Sequence, residues 1–107
     1  MSPNAQKVMD YVSRKLQEPD FLRQLRREYE AEMAAHVSGM ASLRDYVGVR
    51  GKPEPREEVE GWARAVVAGQ LLKQVCKRLN VRFDEYEDSD VQVEIMIVIE
   101  PFLQPYN

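Results

Sequence analysis

VQVEIMIVI, residues 91–99, is the most apolar stretch of the chain and the long stretch richest in β-branched side chains. As a strand it has two faces, because successive side chains point to opposite sides. One face is wholly apolar: Val91, Val93, Ile95, Ile97 and Ile99. The other face is mixed: Gln92, Glu94, Met96, Val98 and Glu100. The alternation and the β-branched residues favour a strand at this position.

A helix is the alternative interpretation of the same stretch. Ser89 and Gln92 have the spacing of a helix-capping box. An apolar stripe would follow: Val91, Ile95, Val98 and Phe102. Against the helix, Pro101 would interrupt it, and β-branched side chains lose χ1 freedom in helices. The strand is therefore the prediction, and the helix stays open.

Everything upstream is patterned as amphipathic helix. Ser2 and Pro3 suit the N-cap and the first position of a helix that Pro19 ends. Its apolar stripe has three- and four-residue steps: Ala5, Val8, Met9, Val12 and Leu16. A longer stripe follows: Leu22, Leu25, Tyr29, Met33, Val37, Met40, Leu43 and Val47. Residues 20–47 as one helix would span about 42 Å. Gly39 alone does not force a break, so we predict one long helix with at most a mild kink.

A loop with two glycines and two prolines at residues 48–55 precedes a third helix, which we place at about residues 56–79. Acids crowd the start of this helix and bases its end, as the helix dipole favours. Gly61, Ala65 and Gly69 form a ridge of small residues at four-residue steps. We expect another helix to cross closely at this ridge.

These elements predict a single α+β domain covering residues 1–107, with three helices, the second one long, followed by a C-terminal β-hairpin. Residues 81–83 would begin the partner strand, and residues 84–90 would form an acidic turn before the strand at 91–99. A two-stranded hairpin is marginal in water, so it must lie on the helices with one edge open. An all-α helical bundle is the alternative fold.

Size and composition exclude several classes of protein. The chain has 107 residues, of which 44% are hydrophobic and 31% charged, the composition of a small globular domain and not of a disordered segment. Its apolar stretches are too short to cross a membrane, and we see no signal peptide. A single cysteine cannot form an internal disulfide, which favours a reducing compartment. We therefore expect a cytoplasmic protein.

The formal net charge of −3 is unevenly distributed. Residues 1–83 carry all 15 Lys and Arg and 11 Asp and Glu, a net charge of +4. Residues 84–107 carry the other seven acids and no base, a net charge of −7. Such an asymmetry can join two parts of one molecule, join two subunits, or offer an acidic surface to a basic partner.

Residues that carry chemistry are few. His36 is the only histidine and is interpreted as a partly buried structural residue, and Cys76 lies among apolar residues, as inert thiols do. One His and one Cys exclude the usual zinc ligand sets. The acidic turn lacks the Gly and Glu of an EF-hand loop, and residues 48–52 lack the order of a phosphate-binding loop. We expect no metal, no cofactor and no enzymatic activity.

Nucleic-acid binding has one clue. Arg23, Arg26 and Arg27 cluster on the long helix, as a weak nucleic-acid-associated regulator would require. A second cluster lies on the third helix: Lys73, Lys77 and Arg78. Interleaved acids and a pI of ≈ 5.2 argue against a strong binding site. Salt-bridged, solvated helix faces are the preferred interpretation, and nucleic acid is not the expected partner.

The remaining prediction is a small interaction module that binds another protein, including a second copy of itself as a homodimer. The contact surfaces would be the long helix and the open strand edge, with Met96 and Val98 uncovered on the second face of the strand. The alternative is an inhibitor, of the kind that phages and mobile elements encode, that imitates nucleic acid with an acidic segment. That segment comprises Asp84, Glu85, Glu87, Asp88 and Asp90.

Overall fold

The computed structural model describes residues 1–47 and 56–103, with the side chains of residues 1–39 and 56–103. Four helices form nearly all of the described chain: α1 (Pro3–Lys15), α2 (Pro19–Val47), α3 (Arg56–Leu79) and α4 (Glu85–Leu103). No strand is present in the described ranges. The predicted α+β domain with a C-terminal hairpin is therefore wrong, and the alternative, an all-α helical bundle, is confirmed. The loop predicted at residues 48–55 lies outside the described residues.

α1 and α2 begin where their local chemistry predicts. The Ala5 amide donates to Oγ of Ser2, the N-cap of α1, at 3.1 Å, and Pro3 occupies the first helical position. α2 begins at Pro19 with Asp20 in its first turn. It then continues for 29 residues, so the prediction of one long helix is confirmed.

α3 lies at the centre of the bundle and packs against the other three helices. α2 is about 43 Å long, and the longest dimension of the molecule is 50 Å. The largest fully buried side chains come from α1, α3 and α4: Val8, Val12, Val67, Leu72, Ile95 and Ile99. α2 adds Leu25 and Tyr29 to the same core. The core therefore lies where α1, α2 and α4 pack on α3.

Asn80 ends α3 with a positive φ of 53°, the left-handed region that Asn tolerates better than most residues. The Val81 amide then donates to the Cys76 carbonyl at 2.9 Å, the long hydrogen bond of a Schellman motif. The Val81 side chain is buried and anchors the connection to α4. The predicted strand at residues 81–83 is therefore wrong, because this segment is the short link between two helices.

The stretch that decides the fold lies inside α4. Residues 84–90, predicted as an acidic turn, instead begin this helix, since Oδ1 of Asp84 accepts from the Glu87 amide at 2.8 Å, as an N-cap does. Acidic residues in the first turn suit the positive end of the helix dipole. Ser89, expected as the N-cap of the alternative helix, lies one turn further on and donates to the Glu85 carbonyl at 3.2 Å.

A four-residue spacing explains why the strand prediction failed. Val91, Ile95 and Ile99 share a face in a strand, because they are an even number of residues apart, and also in a helix, because four residues make about one turn. All three are buried. Val93 and Ile97 would share that face in a strand but lie on the opposite side of a helix, and they are 52% and 57% exposed. Packing of the inner side of α4 thus outweighs the strand preference of its β-branched residues.

Pro101 lies in the last turn of α4 and therefore does not interrupt the helix. Proline has no N–H, so the hydrogen bond to the carbonyl of Ile97, four residues earlier, is lost. α2 supports this end of the helix: Nε of Arg26 donates to the Phe102 carbonyl at 3.0 Å. The Arg26 charge suits the negative end of the dipole, where the last turn of α4 has no basic residue of its own.

The predicted ridge of small residues on α3 is contacted at two of its three positions. Gln92 of α4 lies over both, since its Nε2 donates to the Ala65 carbonyl at 2.9 Å and would lie 3.0 Å from a Cβ placed on Gly69. A Cβ on Gly61 would meet no atom within 4 Å. Small residues therefore make room for an amide side chain of α4 at one end of the ridge, while the other end is open.

Candidate protein-interaction surfaces

The side of α4 that points away from the bundle carries three exposed apolar side chains. At about 100° per residue, Tyr86, Val93 and Ile97 all lie within about 20° of the line opposite the buried Ile95. They are 83%, 52% and 57% exposed. The stripe is about 16 Å long. We call these three residues the α4 outer face.

Carboxylates border the α4 outer face. Asp90 and Glu94 follow one edge of the stripe on the helical wheel. A groove of about 380 Å³ opens beside Val93, between α4 and the N-terminus of α1, where Met1 is 71% exposed. Residues 84–103 contain seven acids and no base. This side of the molecule is therefore both apolar and acidic.

The apolar side chains exposed on α4 differ from those that the predicted strand would expose. Met96 and Val98, expected on the open side of a strand, are half-buried and pack against the core. Val93 and Ile97, which the strand placed on its buried face, are exposed instead. A helical wheel would have predicted this exposure from the sequence, because it places Val93 and Ile97 opposite Ile95.

The acidic segment is divided between structural and exposed positions. Asp84 caps α4, and Oε1 of Glu87 accepts from the Ser2 hydroxyl at 3.1 Å, which ties the start of α1 to the start of α4. Glu85, Asp88 and Asp90 are exposed. The segment is thus the beginning of a helix, and its action as a nucleic-acid mimic stays a prediction.

The arginines predicted to cluster on α2 make separate contacts. Arg23 forms an ion pair with Asp20, three residues earlier on the same helix. Arg26 holds the C-terminal end of α4 through the Phe102 carbonyl. Arg27 is exposed. Arg26 therefore stabilises the packing of α2 against α4, and its guanidinium group is not simply available to bind a phosphate backbone.

A second groove, of about 570 Å³, lies where the C-terminal parts of α1 and α3 meet the start of α2. We call it the basic groove. Its apolar and aromatic lining consists of Tyr11, Phe21, Leu71 and Val75. Its polar lining consists of Lys15, Gln74, Lys77 and Arg78. This groove combines side chains from three helices.

The charges of the basic groove differ in how far they are already paired. Nζ of Lys15 lies 3.1 Å from Oε2 of Glu18 and 5.7 Å from the centroid of the Tyr11 ring. Lys77 and Arg78 are exposed in the last turn of α3. Neither forms an ion pair with the described side chains, those of residues 1–39 and 56–103. The outer part of the groove therefore carries two positive charges that a partner can neutralise.

His36 and Cys76, the two residues considered for catalysis, are packed against other parts of the bundle. The His36 ring lies against Trp62, with the ring centroids 4.4 Å apart and the planes inclined at 32°. Cys76 is half-buried. Burial, with a smaller contribution from the Asp88 charge, raises the pKa of the Cys76 thiol. Less of this thiol is therefore present as the reactive thiolate at neutral pH.

In the described part of the chain, no group of three or more His, Cys, Asp and Glu side chains is placed to hold a metal ion. None of its helices combines the length and apolar character that crossing a membrane requires.

Comparison of the chain with protein-family models, with curated proteins and with solved structures finds no match. A function for this chain is therefore inferred from the α4 outer face and the basic groove.

Proposed function

We propose that this protein is a non-enzymatic interaction module that self-associates through the α4 outer face. One observation carries the proposal: Tyr86, Val93 and Ile97 are exposed in one line on a helix whose opposite side is buried. A single exposed apolar side chain is ordinary, but an aligned set on one helix offers a continuous contact surface. We place the protein in the cytoplasm, where a lone thiol stays reduced.

Covering the α4 outer face supplies a modest free energy. Fully burying a Val or Ile side chain stabilises by about 1.5–3 kcal/mol. About half of Val93 and of Ile97 remains to be buried, so each contributes about 1 kcal/mol, and Tyr86 contributes at least about as much. Association costs at least about 4 kcal/mol of lost rigid-body freedom. The three side chains together supply about 3 kcal/mol, which is less than this cost, so self-association also needs the surface that the second copy buries. We therefore expect weak association and a mass that depends on concentration.

Sedimentation velocity over about 1 µM to about 1 mM tests the proposal. The wild-type mass is expected to rise above the monomer mass of 12.4 kDa with concentration. The variant Val93→Gln/Ile97→Gln is expected to stay monomeric, because glutamine keeps the helix but removes the apolar contact. Val37→Gln is the matched control, since Val37 is equally exposed, at 52%, on α2. A wild-type mass of 12.4 kDa throughout contradicts self-association, and an unchanged mass for the double variant contradicts the choice of surface.

A further inference from the structure

We propose that the α4 outer face of one copy docks in the basic groove of a second copy, so that chains associate head to tail. The inference rests on the proposed function and adds the surface that the partner supplies. The two surfaces lie on different helices and share no residue. One molecule can therefore use both at the same time.

Charge argues against a symmetric contact between two α4 outer faces. Asp90 and Glu94 border the face, and residues 84–103 contain no base. A twofold contact would bring the same acidic surface from each copy together, and like charges in contact oppose association. The basic groove has the opposite sign, with Lys77 and Arg78 exposed beside its apolar lining.

The apolar parts of the two surfaces also complement each other in shape. The α4 outer face is convex, because it is the outer side of a helix, whereas the basic groove is a concavity of about 570 Å³. Tyr11 and Phe21 are half-buried there, so part of each ring remains to be covered. Val93 and Ile97 against these rings would form an apolar centre, with the opposite charges at its edge, as in known protein interfaces.

A head-to-tail contact closes in a dimer only if the rotation between the two copies is about 180°. At any other rotation each dimer retains one unused α4 outer face and one unused basic groove, to which further copies can add. The wild-type mass is then expected to pass beyond twice 12.4 kDa as concentration rises. A ring or an open chain is the end product, depending on the rotation between neighbours.

Charge reversal of each surface tests the pairing by sedimentation velocity. The face variant is Asp90→Lys/Glu94→Lys, and the groove variant is Lys77→Glu/Arg78→Glu. Each variant alone is expected to associate at least about ten-fold more weakly than wild type, because like charges then meet across the contact. An equimolar mixture of the two is expected to recover association, since the reversed face then meets a reversed groove.

Two controls keep the outcome decisive. Lys7→Glu/Arg14→Glu changes the net charge as the groove variant does, but on exposed residues of α1 that do not line the basic groove, and it is expected to associate like wild type. Circular dichroism verifies that each variant is folded. If the groove reversal unfolds the protein, Lys77→Gln/Arg78→Gln replaces it, with weaker association again expected.

The results separate the two proposals. A folded groove variant that associates like wild type overturns head-to-tail docking, while self-association through the α4 outer face still stands. A mixture of the two reversed variants that stays monomeric overturns the docking as well. A wild-type protein that is monomeric at every concentration overturns the proposed function, and the docking with it.

Discussion

Ile95 and Ile97 lie two residues apart on α4, and the helix buries the first and exposes the second. Ile95 is 0% exposed. Its replacement by alanine loses about 0.8 kcal/mol for each buried methylene and adds a cavity, which together amount to about 3 kcal/mol. Ile97 is 57% exposed. Its replacement loses little buried surface, and the higher helix propensity of alanine returns about 0.4 kcal/mol, so the net change is about 0.5 kcal/mol or less.

Urea unfolding followed by circular dichroism measures both changes. With a slope of about 1.5 kcal/mol per molar urea, Ile95→Ala lowers the midpoint by about 2 M and Ile97→Ala by less than about 0.5 M. Repeating the measurement at two protein concentrations separates any stability that self-association adds. Equal losses for the two variants would refute the helix, because only a strand places both side chains on one buried face.

Three further predictions concern local contacts. Gly61→Ala should raise the free energy of unfolding by about 0.5–1 kcal/mol, since its Cβ meets open space, and Gly69→Ala should gain less, because its Cβ would displace the Gln92 amide; thermal unfolding compares the two. Asp84→Ala should cost about 1 kcal/mol by removing the acceptor for the first turn of α4, and Asp84→Asn should cost less, as measured by urea unfolding. Cys76 should react with a thiol reagent at neutral pH several-fold more slowly in the native protein than in urea, because burial raises its pKa; equal rates would contradict this.

The first three helices could be predicted because their signals are local. Ser2, Pro3 and Pro19 mark helix boundaries by their own side-chain and backbone chemistry. The apolar stripes between such boundaries have unambiguous helical spacing. α4 lacks that clarity: its buried residues are four apart, a spacing common to helix and strand, and its β-branched residues favour the strand. The packing of α4 on α3, a contact between distant parts of the chain, decides in favour of the helix.

The sequence predicted an exposed apolar face near the end of the chain, but not the residues that form it. An apolar face left uncovered near the end of the chain follows from the composition of residues 91–99 in either conformation. The choice of Val93 and Ile97 follows only from the helix, which turns them to solvent. The bases at the end of α3 form a cluster that the sequence shows locally. The basic groove could not be predicted, because Tyr11, Phe21 and the end of α3 meet only through the fold.

Disulfide cross-linking between two copies tests the head-to-tail contact most directly. In a Cys76→Ala background, one variant carries Val93→Cys on the α4 outer face and the other carries Gln74→Cys at the basic groove. Docking predicts a cross-linked pair in the oxidised mixture and none in either variant alone, since a bond forms only when the two Cα atoms lie within about 7 Å. Cross-linking of the Val93→Cys variant with itself would contradict the account, because it would show that two α4 outer faces meet.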